Sequence, residues 1–252
     1  MAVDKKGLSR RDFLKTTGIA TGALVGGGLI GGLVGYNVKK EDPVAGTGGH
    51  KGAGGELASV NNRGLMFFTN MAEFNVLAQA VERIFPEDEL GPGAIGLGVP
   101  YFIDNQLAGN YGSNVKEYMQ GPFFAGESTQ GYQSRLTRGE IFSQAMIRMD
   151  EEAMTRFEKN FVDLEGQQMD EIITAFQKNE VDMKGVSSEF FFKLLRQATL
   201  EGAYADPIYN GNVNMDAWRM KEFPGNQMTY IAEIENDKFV KYEPKSLSSM
   251  EH

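Results

Sequence analysis

The chain reads as a mainly α protein, a small irregular helical bundle with long loops, preceded by a signal or anchor helix. Three observations lead there: apolar residues recur at helical spacing, capping residues stand just before those stripes, and no segment sustains β-type alternation. A bundle of layered helices is the architecture that buries several such stripes at once.

The elements follow in order. Asn70 can cap a helix with Glu73 reaching back, and Phe74, Leu77, Ala78, Val81 and Ile84 form its stripe before Pro86 ends it. Val99-Pro100 opens a short second helix carrying Tyr101, Phe102, Ile103 and Leu107, with proline tolerated in the first turn. Residues 109–135 mix glycine and proline with Tyr111, Tyr118, Phe123, Phe124 and Tyr132, which reads as an aromatic loop. Thr137 and Glu140 form a capping box, and Ile141, Phe142, Ala145, Met146, Met149, Ala153 and Phe157 give the longest stripe. A further helix is expected over residues 167–178, with Met169, Ile172, Ile173 and Phe176 inward. The last begins near Ser187 and carries Phe190, Phe191, Leu194, Leu195 and Ala198. Methionine and phenylalanine at this spacing are core residues by default. Residues 229–234 are the one stretch that suggests an edge strand.

Composition removes several function classes. The 252 residues carry a net charge of −9, and the first forty alone carry +5, so the remainder is −14. Such an acidic body does not suit nucleic acid. Cysteine is absent, which excludes disulfides, thiolate iron–sulfur ligation and haem attachment through Cys-x-x-Cys-His. The two histidines, His50 and His252, give no material for a Ser-His-Asp triad. Gly26-Gly27-Gly28-Leu29-Ile30-Gly31 and Gly91-Pro92-Gly93-Ala94-Ile95-Gly96 both fit G-x-G-x-x-G, but neither follows a buried strand, so neither is read as a dinucleotide site. Glu87-Asp88-Glu89 reads as a solvated acidic turn rather than a cation site.

Ser9-Arg10-Arg11-Asp12-Phe13-Leu14-Lys15 resembles the twin-arginine export signal, with Ser9, Arg10, Arg11, Phe13, Leu14 and Lys15 in register. An uncharged, glycine-rich apolar run follows over residues 18–34 and ends at Lys39-Lys40. Its length lies at the lower edge of a membrane span, and no clean Ala-x-Ala site follows it, so cleavage and retention as an anchor both stay open. The expected layout is a signal over 1–40, a glycine-rich linker over 41–64, a helical domain over 65–226 and a tail over 227–252.

The segment after the last helix is the most distinctive. Leu194-Leu195-Arg196, Thr199-Leu200-Glu201-Gly202, Tyr204, Asp206-Pro207, Tyr209, Gly211-Asn212, Trp218 and Pro224-Gly225 resemble the C-terminal motif of the gluconate 2-dehydrogenase subunit 3 family. Residues 69–88, and Gly93-Ala94 with residues 98–104, are similar to that family's opening motifs, and Asn210 stands where the family has a further glycine. The resemblance implies a non-catalytic small subunit, without cofactor of its own, that assists assembly and export of a large flavoprotein subunit. That partner would hold FAD and oxidise a sugar, sugar acid or polyol. The twin-arginine translocase is a further implied partner, with room for a membrane cytochrome subunit, and no nucleic acid. The expected location is the periplasm or the outer face of the cytoplasmic membrane, with membrane association. Thr199, Glu201, Tyr204, Asp206, Tyr209, Asn212 and Trp218 are the expected partner interface, with Tyr209 and Trp218 as aromatic anchors. An independent exported envelope enzyme and an anchored scaffold protein stay open as alternatives.

Overall fold

A computed structural model describes residues 64–124 and 126–249, all within the compact unit Gly64–His252. The motif at Ser9, Arg10, Arg11, Phe13, Leu14 and Lys15, the apolar run and most of the glycine-rich linker lie outside the described residues. Among the described residues, six α-helices span Met71–Ile84 (α1), Val99–Ala108 (α2), Arg138–Phe157 (α3), Gly166–Gln177 (α4), Ser188–Tyr204 (α5) and Asp216–Met220 (α6). Short 3₁₀ turns connect several of them, and the described residues hold no β-strand.

Local chemistry sets the helix starts. The Asn70 side chain accepts from the amide of Ala72 at 3.0 Å, and Thr137 with Glu140 forms the expected capping box before α3. Ser187 accepts from the Phe190 amide at 3.2 Å. A further box, Glu165 with Gln168, opens α4. Each satisfies amides that the first turn cannot pair internally.

The stripes meet in one core. Leu77 and Val81 of α1, Phe142 and Met146 of α3, Ile172 and Phe176 of α4, and Phe191 and Leu195 of α5 are fully buried. Phe191 is central: it meets Phe142 and Phe176 edge-on, with centroids 5.3 and 5.6 Å away. Edge-to-face contacts of this kind add about 1 kcal/mol to the area buried. At the rim, Arg83 of α1 clamps Asp170 of α4 through both carboxylate oxygens, at 2.8 and 2.7 Å. That hydrogen bond is the main cause raising the Arg83 pKa, against the opposing effect of burial.

Two carboxylates organise backbone instead of chemistry. Asp104 of α2 is fully buried and accepts the amides of Met66, Phe67 and Phe68 at 2.6, 3.1 and 2.9 Å, which seats the entry to α1 on α2. Glu82 accepts the amides of Glu87 and Ile95 at 3.1 and 2.7 Å. A Cβ on Gly93 would overlap the Glu82 carboxylate. The second G-x-G-x-x-G run is thus a connector between two helices that admits a carboxylate of its own chain.

The expected edge strand over residues 229–234 is not formed. The Thr229 hydroxyl accepts the Ile231 amide at 3.1 Å, and Ile231–Glu233 is a 3₁₀ turn. A side chain that binds a nearby amide withdraws it from any ladder, and no neighbouring strand competes for it.

Candidate functional site

The motif-bearing segment folds back over the end of α5. Gly202 lies against α2, where a Cβ would come within 2.7 Å of the Phe102 ring. A Cβ on Gly211 would overlap the Gly202 carbonyl oxygen. The two glycines therefore let three stretches of backbone meet closely. Asn210 has φ +68°, the left-handed geometry that asparagine tolerates in place of glycine.

Asp206 is the hub of this corner. Its Oδ1 accepts the Ile208 amide at 3.0 Å and the Ser246 hydroxyl at 2.6 Å. Its Oδ2 accepts the Asn226 side-chain amide at 2.7 Å and the Leu247 amide at 2.9 Å. One buried carboxylate thus ties the turn Pro207–Tyr209, the loop after α6 and the C-terminal segment together. The Lys245 amide donates to the Pro224 carbonyl, and its own carbonyl accepts from Asn226, which reinforces the same closure.

Asn212 does comparable work one layer deeper. It is fully buried with φ +46°, donates to the Ala205 carbonyl and accepts from the Ala217 amide, both at 2.9 Å. Trp218 is 6% exposed; its indole N–H donates to the Tyr204 carbonyl at 2.9 Å, and its ring meets Phe223 edge-on. The buried Thr199 hydroxyl donates back to the Leu195 carbonyl at 2.7 Å. Tyr204 packs edge-on against Phe85, with the Lys221 ammonium 5.6 Å from its ring centroid.

The seven singled-out residues therefore divide. Thr199, Asp206, Asn212 and Trp218 are buried and bonded within the chain, Tyr204 is half-buried, and Glu201 and Tyr209 are exposed. Trp218 anchors the corner from inside, whereas Tyr209 remains outward with its neighbour Ile208. Sequence reading missed Asn226, Ser246 and Leu247, and no local signal marks them: the last two lie 40 and 41 residues from their partner.

A model described as gluconate 2-dehydrogenase subunit 3 matches residues 71–225, from the first residue of α1 to the glycine beside Trp218. The chain belongs to the gluconate 2-dehydrogenase subunit 3 family. No curated protein and no solved structure matches it significantly. The gluconate 2-dehydrogenase subunit 3 family is a subunit of a multi-subunit dehydrogenase, so the chain is made to work beside partner subunits.

A cleft of about 510 Å³ opens beside α2 and the start of α3, where Arg138 pairs with Glu117 at 2.6 Å and lies 4.6 Å from the Tyr111 ring centroid. Burial is the main cause raising the Tyr111 pKa. Among the described residues, no three His, Cys, Asp or Glu side chains gather as metal ligands. No described helix is long and apolar enough to cross a membrane.

Proposed function

We propose that this chain is the non-catalytic small subunit of an FAD-dependent, gluconate 2-dehydrogenase-like complex that oxidises a sugar, sugar acid or polyol. FAD resides in the large subunit, and this chain assists its assembly and its export through the twin-arginine translocase to the periplasm or the outer face of the cytoplasmic membrane. The family match over residues 71–225 is the observation that carries this reading. The chemistry of the corner supports it. Asp206 faces four donors of its own chain, and both ends of the Asn212 side-chain amide bond backbone, so both are committed to holding a shape. A rigid corner with Glu201, Ile208 and Tyr209 outward suits docking better than proton transfer.

Capture of the native complex tests the assembly role. The expected result is a larger, flavin-containing chain held with this one, with sugar or polyol oxidation in the complex and none by the small chain alone. Turnover by the isolated chain would overturn the proposal. Joint replacement Arg10→Lys and Arg11→Lys tests the export role: the flavoprotein activity is expected to stay in the cytoplasm. Undiminished activity outside would remove the carrier role.

A further inference from the structure

Residues 227–244 form a closed excursion whose two ends meet. The amide of Asn226 donates to the Lys245 carbonyl at 2.7 Å, and Gly225 and Lys245 form an isolated bridge. The loop is exposed along most of its length, in its charged and its apolar residues alike. Lys241 reaches the body to pair with Glu222 at 2.7 Å, Glu243 lies 3.7 Å from Arg219, and Asn236 bonds Glu233 within the loop. Meanwhile Met228, Ile231, Ile234 and Phe239 are 87, 74, 75 and 92% exposed. Ile231 opens one 3₁₀ turn and Ile234 follows its last residue, and the three-residue period sets them on one side. At the base of the loop, Ile208 and Leu247 both donate amides to Asp206 and both expose apolar side chains. The pair Ile231 and Ile234 on one side of the turn, and the pair Ile208 and Leu247 joined through Asp206, are exposed apolar side chains of the kind that serve an interaction surface.

We propose that this loop is the arm by which the chain grips the flavoprotein subunit, an inference that rests on the function proposed above. A protein of the same complex fits better than the other occupants. Residues 228–243 hold Glu233, Glu235, Asp237 and Glu243 against Lys238 and Lys241, a net −2 on an already acidic body. That charge opposes an anionic lipid surface, and it opposes a second copy that would set two such arms together. Membership of a subunit family supplies the need for a covered face. The arm begins where the family match ends, at residue 225, so it is the part of the corner suited to choosing one particular large subunit.

Full-length chain is captured from its host, and bound flavin is measured per chain. The combined variant Met228→Ser, Ile231→Ser, Ile234→Ser and Phe239→Ser is expected to retain about tenfold less flavoprotein. Its Trp218 fluorescence and thermal unfolding should match wild type, because none of the four side chains is buried. Independently, a photo-reactive residue at Ile231 is expected to crosslink to the flavoprotein, and one at Ile147 of α3 is not. Crosslinks from Ile231 only to a second copy, to residues 1–63 or to anionic vesicles would overturn the arm's assignment. Full flavoprotein retention by the variant also overturns it while leaving the subunit role intact. A wild-type capture without flavoprotein overturns both.

Discussion

Asp206 accepts a 2.6 Å hydrogen bond from the hydroxyl of Ser246, forty residues further along the chain. With Asn226 and Leu247 as further donors, this carboxylate is the point at which the C-terminal segment is fastened to the end of α5. Asp206→Asn turns one acceptor oxygen into a donor that faces donors. The variant is expected to lose about 2 kcal/mol in urea denaturation. Amide exchange should accelerate at Leu247 and Ile208 ahead of the core. Wild-type protection at both amides would mean that the clamp contributes nothing.

Asn212 combines a backbone role with a side-chain role, and two variants separate them. Asn212→Gly keeps the left-handed geometry but leaves the Ala205 carbonyl and the Ala217 amide unpaired. Asn212→Ala adds the cost of placing a Cβ at φ +46°. The alanine variant is expected to be less stable than the glycine variant by about 1 kcal/mol, and both less stable than wild type. Trp218, the sole tryptophan, reports the local unfolding through its fluorescence. Equal stability of the two variants would remove the backbone role.

Helix starts and stripes were legible because they are local. Asn70, Thr137 and Ser187 cap amides two or three residues away, and Phe142, Met146, Ile172 and Phe191 are buried as their spacing implies. The helix expected over residues 167–178 is observed at Gly166–Gln177. What stayed hidden is long-range. Asp104 and Asp206 bind donors 36 to 41 residues away, and nothing beside either residue announces them. The edge strand failed for a related reason: β propensity at Thr229 and Ile231 needs a neighbouring strand, and without one the threonine hydroxyl took the amide. Trp218, as part of the family-like motif, reads as an aromatic anchor at an interface, yet its ring is buried and its indole N–H is held by the Tyr204 carbonyl fourteen residues away.

Gly202 and Gly211 differ in what opposes an added methyl. At Gly202 the nearest obstacle is the Phe102 ring, a side chain that can shift; at Gly211 it is the Gly202 carbonyl, which cannot move without dragging α5. Gly202→Ala is expected to cost about 1–3 kcal/mol and Gly211→Ala more than that. Thermal unfolding followed by Trp218 fluorescence checks the order. A reversed order would mean that the close approach at Gly211 relaxes easily.

Alkaline stability tests the cleft beside α2. Burial is the largest influence on Tyr111, and it raises the phenol above its ordinary 10.0; Glu201 and Glu117 add to this, while Arg138 opposes it. A raised folded value means that the folded chain keeps a proton which the unfolded chain releases. Stability then falls with pH wherever the unfolded state binds fewer protons. The contribution is fully present below pH 10.0 and is lost as pH rises from there through the folded value. Tyr111→Phe removes the titrating group but keeps the ring face under Arg138. The variant is therefore expected to lose stability less steeply than wild type above pH 10.0, with parallel curves near neutrality. Urea midpoints measured across that window decide the matter, and identical slopes would show that Tyr111 ionises as freely in the folded chain as in the unfolded one.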